Sequence, residues 1–412
     1  MDVVYERCCG LDIHKASIFA CRVTPGPKGT PHKEVREFTT MTEDILELGD
    51  WLAAGGCTHI AMESTGVYWK PLYNLLEDRF TLLLVNARHV KNVPGRKSAV
   101  RDCDWLADLL RHGLLRASFV PDRPQRELRE LTRYRTSLVR ERSAEVNRLQ
   151  KVLEGANIKL SVVAKDIMGV SGRAILAALL AGSTDAAAMA QVARGKLRAK
   201  IPQLEQALVG HFGAHQRFLI TEQLIHIDDL EASMERVSAQ IAERVRPCAE
   251  EREQLDTIPG VGPRTAEALI AEVGVDMSRF PSADHLASWA GLAPGHNESA
   301  GKRKSGKTRQ GSPWLRAVLI EAAHAAGRTK DTYLGAQYRR LVARKGKKRA
   351  AVAVARRILV IAYHILREHE PYHEVGATYL AQRDRQAVER RLVHRLEALG
   401  YAVSLQPKEP AA

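Results

Sequence analysis

Two carboxylates stand where strands should end. Asp12 closes the segment Gly10-Leu11-Asp12-Ile13-His14-Lys15, and Glu63 follows an apolar run in Ala61-Met62-Glu63-Ser64-Thr65-Gly66. Neighbouring strand ends can bring two such groups together, and hard oxygen ligands are what Mg²⁺ requires at a phosphodiester. A third acid, Asp102, lies on a helix expected over Ala99 to His112. Taken singly, acids are commonly solvated or capping residues. Their placement on a strand, helix, strand pattern is what points to chemistry.

The elements that must position them can be read from periodicity. Val3 to Asp12, Ser17 to Val23 and a segment centred on Val35 to Thr39 alternate as strands, with Gly26 to His32 as a hairpin loop. A helix fits Glu43 to Ala53, a buried strand His59 to Met62, and a strand Thr81 to Val85. Between the last two strands a helix fits Trp69 to Leu76, with Ser64 or Thr65 near its start. Three strands followed by helix and strand alternation imply a mixed sheet flanked by helices.

Pro121 and Pro124 mark a boundary. Beyond it, Gln125 to Glu154 is a charge-rich helical stretch carrying Leu128, Leu131, Leu138, Val146, Leu149 and Val152. Phe218 to Val245 repeats the pattern with Leu224, Ile227, Leu230, Met234, Val237 and Ile241. The pair reads as two arms of a coiled coil or as members of a helix bundle. Pro247 opens a third region, where Ile258-Pro259-Gly260-Val261-Gly262-Pro263 leads into an amphipathic helix, Arg264 to Val273. Gly260 and Gly262 would let backbone amides of this turn receive a phosphate; a plain interhelical turn is the other reading. A last helix, Tyr379 to Leu399, has no assigned role. The expected divisions are 1–121, 122–246, 247–370 and 371–412.

A chain of 412 residues exceeds the usual single-core size. Its 62 Lys+Arg against 48 Asp+Glu should attract polyanions, nucleic acid first. One basic cluster crowds the loop after Ser299: Lys302, Arg303, Lys304, Lys307 and Arg309. Arg344, Lys345, Lys347, Lys348 and Arg349 form a second. Both suit phosphate neutralisation, and neither reads base sequence. Cys8, Cys9, Cys21, Cys57, Cys103 and Cys248 show no CxxC pairing and read as reduced thiols of a cytosolic protein. Neither secretion nor membrane spanning is expected, since the apolar run Ala350 to Leu366 is broken by Arg356 and Arg357.

The segments LDIHK, MESTGVYW and VPGRKSAVRDCDWLADLLRHGLLRASF resemble the acidic domain of the bridge-RNA-guided DEDD transposases of bacterial insertion sequences. Trp289-Ala290-Gly291-Leu292-Ala293-Pro294, Asn297-Glu298-Ser299-Ala300-Gly301-Lys302 and Gly311-Ser312-Pro313-Trp314-Leu315-Arg316 are similar to that family's C-terminal transposase domain. Only the helical middle and the tail fall outside the resemblance. It implies an α/β RNase H/RuvC-like domain and a mainly α C-terminal transposase domain; the helical coiled-coil region between them rests on the repeats above, and the Ile258 to Pro263 pattern resembles a helix-hairpin-helix contact to the DNA backbone.

The function implied is DNA transposition and recombination on donor and target DNA, guided by a structured bridge RNA. Mg²⁺ would be held by Asp12, Glu63 and Asp102, in a homodimer or homotetramer of the bacterial cytoplasm, associated with the nucleoid. The family has four acids, and its third position is Ala99 here. An aspartate at 99 would sit one helical turn before Asp102 on the same face, whereas Asp104 points elsewhere. The alanine implies impaired cleavage. Ser299 corresponds to the family's nucleophilic serine, with Ser305 and Ser312 as nearby rivals; its weak hydroxyl would be activated where the acidic site coordinates the scissile phosphate. Two other readings stay open. A Holliday-junction-type RuvC-like endonuclease would use activated water, and the Ser299 region argues against it. A non-catalytic nucleic-acid-binding protein gains weight from Ala99.

Overall fold

The computed structural model describes residues 2–27, 30–64, 66–86, 102–295, 297–299, 302–308 and 310–405. They fall into two compact units, Met1–Arg123 and Pro124–Ala412. The first contains β1 (Cys8–Ile13), β2 (Ser17–Pro25), β3 (Pro31–Thr39), α1 (Thr42–Ala54), β4 (His59–Glu63), α2 (Trp69–Leu76), β5 (Thr81–Val85) and α3 (Asp102–Arg111). These strands make one mixed sheet in the order β3-β2-β1-β4-β5. β2 runs antiparallel to both its neighbours, while β1, β4 and β5 are parallel.

Successive residues of a strand point to opposite faces, and each face has its own cover. Cys9, Leu11, Ile60 and Met62 pack with Leu48 of α1 and Leu72 of α2. Cys8, Cys21 and Ala61 meet Cys103, Ala107 and Leu110 of α3. Gly10 is what lets α3 lie on the sheet, because a Cβ there would sit 2.2 Å from the Cys103 carbonyl oxygen. The first strand starts at Cys8 rather than at Val3, because the Val4 and Tyr5 amides donate to the Arg111 carbonyl at 2.9 and 3.1 Å instead of to a strand. Ser64 does not cap α2; its amide donates to the Val85 carbonyl at 2.9 Å. Thr65 lies outside the described residues.

The second unit is almost wholly helical. Its helices are α4 (Arg123–Gly155), α5 (Leu160–Val163), α6 (Val170–Leu180), α7 (Ala186–Gln191), α8 (Ile201–Ala207), α9 (Ala214–Val245), α10 (Ala249–Asp256), α11 (Pro263–Val273), α12 (Ala283–Trp289), α13 (Pro313–Arg328), α14 (Tyr333–Lys345), α15 (Lys347–Glu368) and α16 (Tyr379–Glu397). A hairpin of β6 (Asn297–Ser299) and β7 (Lys302–Ser305) lies between α12 and α13. One core is built from α10 to α15 and takes in Leu128 of α4 and Ile241 and Val245 of α9. Another gathers α5 to α8 around Leu149 and Leu153 of α4 and Ile220 and Ile227 of α9.

Between these cores α4 and α9 run antiparallel, with Arg142 Nε on Glu231 at 2.7 Å and Arg244 paired to Glu127. The buried stripe of α4 is not a plain apolar seam: Thr132, Arg135 and Glu145 share it with Leu128, Leu138 and Leu149. Arg135 lies 2.7 Å from Glu267 of α11, an ion pair without hydrogen-bond alignment. Arg133 grips Glu272 through Nε and Nη2 at 2.7 and 2.9 Å, and Arg129 Nε donates to the Ala271 carbonyl at 3.1 Å. Cations at the C-terminal end of α11 also complement its dipole. The N-terminal half of α4 therefore serves α11 as well as α9. Among the described residues no helix is long and apolar enough to cross a membrane.

Candidate active site

Leu11 pairs with Met62, so Asp12 and Glu63 occupy the next position of two adjacent parallel strands, at their C-terminal ends. Alternation turns both toward the face that carries α3. That helix runs antiparallel to β1. Its last residue, Arg111, accepts from Val4 and Tyr5; the Cys8 thiol points at the Ala107 carbonyl at 3.8 Å; and Cys103 lies over Gly10. Asp102, at the start of α3, thus arrives at the same end of the sheet as Asp12 and Glu63. The Asp12 side chain is 28% exposed and lies 3.4 Å from His14 Nε2.

Asp104 goes elsewhere. Lys33 of β3 holds Asp104 and Asp108 at 2.6 and 2.7 Å, and the Cys21 thiol donates to Asp104 at 3.7 Å. Position 99 lies outside the described residues. Among the described residues no group of three or more His, Cys, Asp or Glu is arranged to hold a metal ion. The carboxylates gathered at this sheet end fit Mg²⁺ in donor type, but the described residues do not by themselves close a coordination shell.

Ser299 is the last residue of β6 and pairs with Lys302 at the start of β7; residues 300 and 301 lie outside the described set. The hairpin base is closed by a bridge between Pro294 and Thr308 and by the Gly295 amide on the Lys307 carbonyl at 3.1 Å. The motifs on either side build its platform. Arg316 Nη1 donates to the Gly291 carbonyl at 2.6 Å and to Thr308 Oγ1 at 3.0 Å. Gly311 has no room for a side chain, since a Cβ would lie 2.3 Å from the Ala290 carbonyl carbon. Ser312 caps α13, accepting from the Leu315 amide at 3.3 Å and donating to Glu272 at 3.0 Å. Those bonds tie its hydroxyl into the fold. Ser305 lies on β7, opposite Asn297.

The two glycines of the 258–263 turn differ. Gly260, at φ +89°, packs into α13, where a Cβ would sit 2.4 Å from the Ala322 carbonyl oxygen. Gly262 faces open space and precedes α11 without a side-chain cap. Lys302, Arg303 and Lys304 lie on β7, Lys307 is exposed, and Arg309 is outside the described residues. Arg344, Lys345, Lys347, Lys348 and Arg349 are all exposed around Gly346, which joins α14 to α15.

Against known proteins, the family model DEDD_Tnp_IS110, described as a transposase, matches residues 9–158. The model of the Transposase IS116/IS110/IS902 family matches residues 252–339. A probable family 20 transposase of Pseudomonas aeruginosa is 26% identical over 320 residues, covering 76% of this chain and 85% of that one. The transposase for insertion sequence element IS1111A of Coxiella burnetii is 26% identical over 294 residues, 70% of this chain and 72% of that one. The pilin gene-inverting protein of Moraxella bovis is 35% identical over 121 residues, 29% of this chain, and the match spans 37% of that relative's length. One matched segment contains Asp12, Glu63 and Asp102, the other contains Ser299, and both name the same kind of protein: the chain belongs to the IS116/IS110/IS902 family of transposases.

Proposed function

We propose that the protein is a DNA transposase and recombinase of an insertion sequence, guided by a structured bridge RNA and acting through a serine-phosphate intermediate. The observation that carries this reading is that Asp12 and Glu63 end two adjacent parallel strands of a sheet ordered β3-β2-β1-β4-β5 and that Asp102 begins the helix over the same face. The same arrangement supports an RNase H/RuvC-like first domain. Asp12, Glu63 and Asp102 would hold Mg²⁺, with position 99 lacking a carboxylate. When bound, the ion would supply positive charge to the oxygens of the scissile phosphate.

Ser299 supplies the nucleophile. Its Oγ–P bond forms as the P–O bond to one deoxyribose breaks, and the hydroxyl proton ends on the departing oxygen. A hydroxyl from another strand then reverses the step and rejoins DNA, with no net consumption of any reactant. Lys302, Arg303, Lys304, Lys307 and Arg309, with Lys345, Lys347, Lys348 and Arg349, neutralise backbone phosphates. Gly262 offers its backbone amide to another phosphate, with Gly260 setting the turn. Sequence choice falls to the guide RNA, and the working form is a homodimer or homotetramer in the bacterial cytoplasm, at the nucleoid.

The test is incubation with supercoiled donor and target DNA, Mg²⁺ and RNA transcribed from beside the gene. Rejoined recombinants are expected once Ala99 is replaced by aspartate. Nicked products alone would instead identify a Holliday-junction-type endonuclease. Bound, unchanged DNA in both forms would leave a binding protein, the reading that alanine at 99 favours for the chain as it stands.

A further inference from the structure

The helical segment 156–213 carries seven Lys or Arg against three Asp or Glu, and their pairing is uneven. Lys159 pairs with Glu154 and Arg173 with Asp228 and Glu231. Among the described residues the other five, Lys165, Arg194, Lys196, Arg198 and Lys200, have no carboxylate within salt-bridge distance. Four of those five line a single cleft of about 750 Å³, together with exposed Val170 and Asp166.

The cleft is built rather than incidental. Gly172 lets the 165–169 turn pack against α6, since a Cβ there would lie 2.1 Å from the Ile167 carbonyl oxygen. The Arg194 amide donates to Ser171 Oγ at 2.8 Å, fixing the opposite wall to the same helix. Lys200 Nζ donates to the Val163 carbonyl at 3.1 Å. Asp166 accepts from the Met168 amide at 3.0 Å and keeps its charge, so the lining holds four cations to one anion.

We propose that this cleft binds the phosphodiester backbone of nucleic acid, a site additional to the acidic sheet end and the serine hairpin. Four cations against the single carboxylate of Asp166, on one concave surface, match a row of phosphates, and Val170 gives an apolar wall for the sugar edge. The inference rests on the reading that the chain handles nucleic acid. It adds a separate anchoring point on the helical lobe, where neither the acids nor the serine lie.

The experiment compares the full chain, the triple variant Lys165→Gln/Arg194→Gln/Lys196→Gln, and a control losing the same charge elsewhere, Lys151→Gln/Arg391→Gln/Arg395→Gln. Affinity for labelled duplex DNA and for labelled duplex RNA is measured from roughly 50 to 200 mM salt. The cleft variant should lower the slope of log affinity against log salt by about 2 to 3 on at least one duplex, with binding weakened about tenfold or more. A response on DNA alone assigns the cleft to DNA, and one on RNA alone assigns it to RNA. Slopes equal to those of the control on both duplexes overturn the proposal. Unaltered protein that binds neither duplex would overturn the nucleic-acid reading itself, which separates the two failures. All six substitutions change exposed side chains, and a thermal melt matching the parent confirms that folding is not what was measured.

Discussion

Ala99 and Ser299 carry opposite expectations. Mg²⁺ keeps several waters and takes few protein ligands, so one missing carboxylate weighs heavily. Ala99→Asp should raise single-turnover strand cleavage at least about a hundredfold in Mg²⁺. Equal, robust cleavage by both forms would mean that another acid completes the site, and Asp104 is a poor choice because Lys33 already holds it. In that restored background, Ser299→Ala should abolish the covalent DNA adduct while shifting stability by no more than about 0.5 kcal/mol. Ser312→Ala removes a cap and a bond to Glu272, so it should cost about 1 kcal/mol or more and leave the adduct in place. An adduct that survives Ser299→Ala and maps to Ser305 or Ser312 would contradict the assignment. Among the thiols, burial pushes Cys8 up to about 12 and Cys57 up to about 11, and raises Cys9 and Cys21 as well. Unfolded thiols ionise near 9.0 while these stay protonated, so the stability they contribute is complete below that pH and is lost as pH rises toward 12. Melting temperature should therefore fall from about pH 9 upward; a flat profile would show that these thiols are not shielded.

Elements divide into those whose pattern is local and those whose partner is distant. Trp69–Leu76 and Thr81–Val85 match the sequence reading to the residue, because their apolar spacing is decided by one buried face. Val3 to Tyr5 is as apolar as a strand, yet the Val4 and Tyr5 amides go to Arg111, which no local pattern could indicate. The β6/β7 hairpin was hidden because Lys302-Arg303-Lys304 lacks the alternation that marks a strand. Arg129, Arg133 and Arg135 are only part of a charge-rich stretch in the sequence, whereas in the fold they reach Ala271, Glu272 and Glu267 more than a hundred residues away. Because Arg135 and Glu267 are both nearly buried, Glu267→Ala should cost about 3–5 kcal/mol by stranding the guanidinium. Joint replacement by Arg135→Met and Glu267→Leu should recover most of that loss in a denaturant melt. A small loss in the single variant would mean that water reaches the pair.

At the scale of the whole molecule, the candidate site was legible in part. Asp12 and Glu63 could be placed because strand ends are visible in sequence, and Asp102 because its helix follows. What sequence could not supply was Gly10 as the seat of α3, or the claim of Lys33 on Asp104, 71 residues apart. The surplus of 14 positive charges should give DNA binding a steep salt dependence, with a log–log slope of about −0.9 for each phosphate met. The two cores of the second unit, joined through α4 and α9, bear on cooperativity. Each closes over its own helices, so hydrogen exchange should reveal two opening events of different free energy rather than one. The core around α5 to α8 is also entered and left by neighbouring antiparallel helices, which Arg142 and Glu231 hold in register. A chain that crossed from one helix to the other near that pair through a short loop would lose one core and keep the other. The fold thus offers a place where length can vary without disturbing the serine hairpin or its platform.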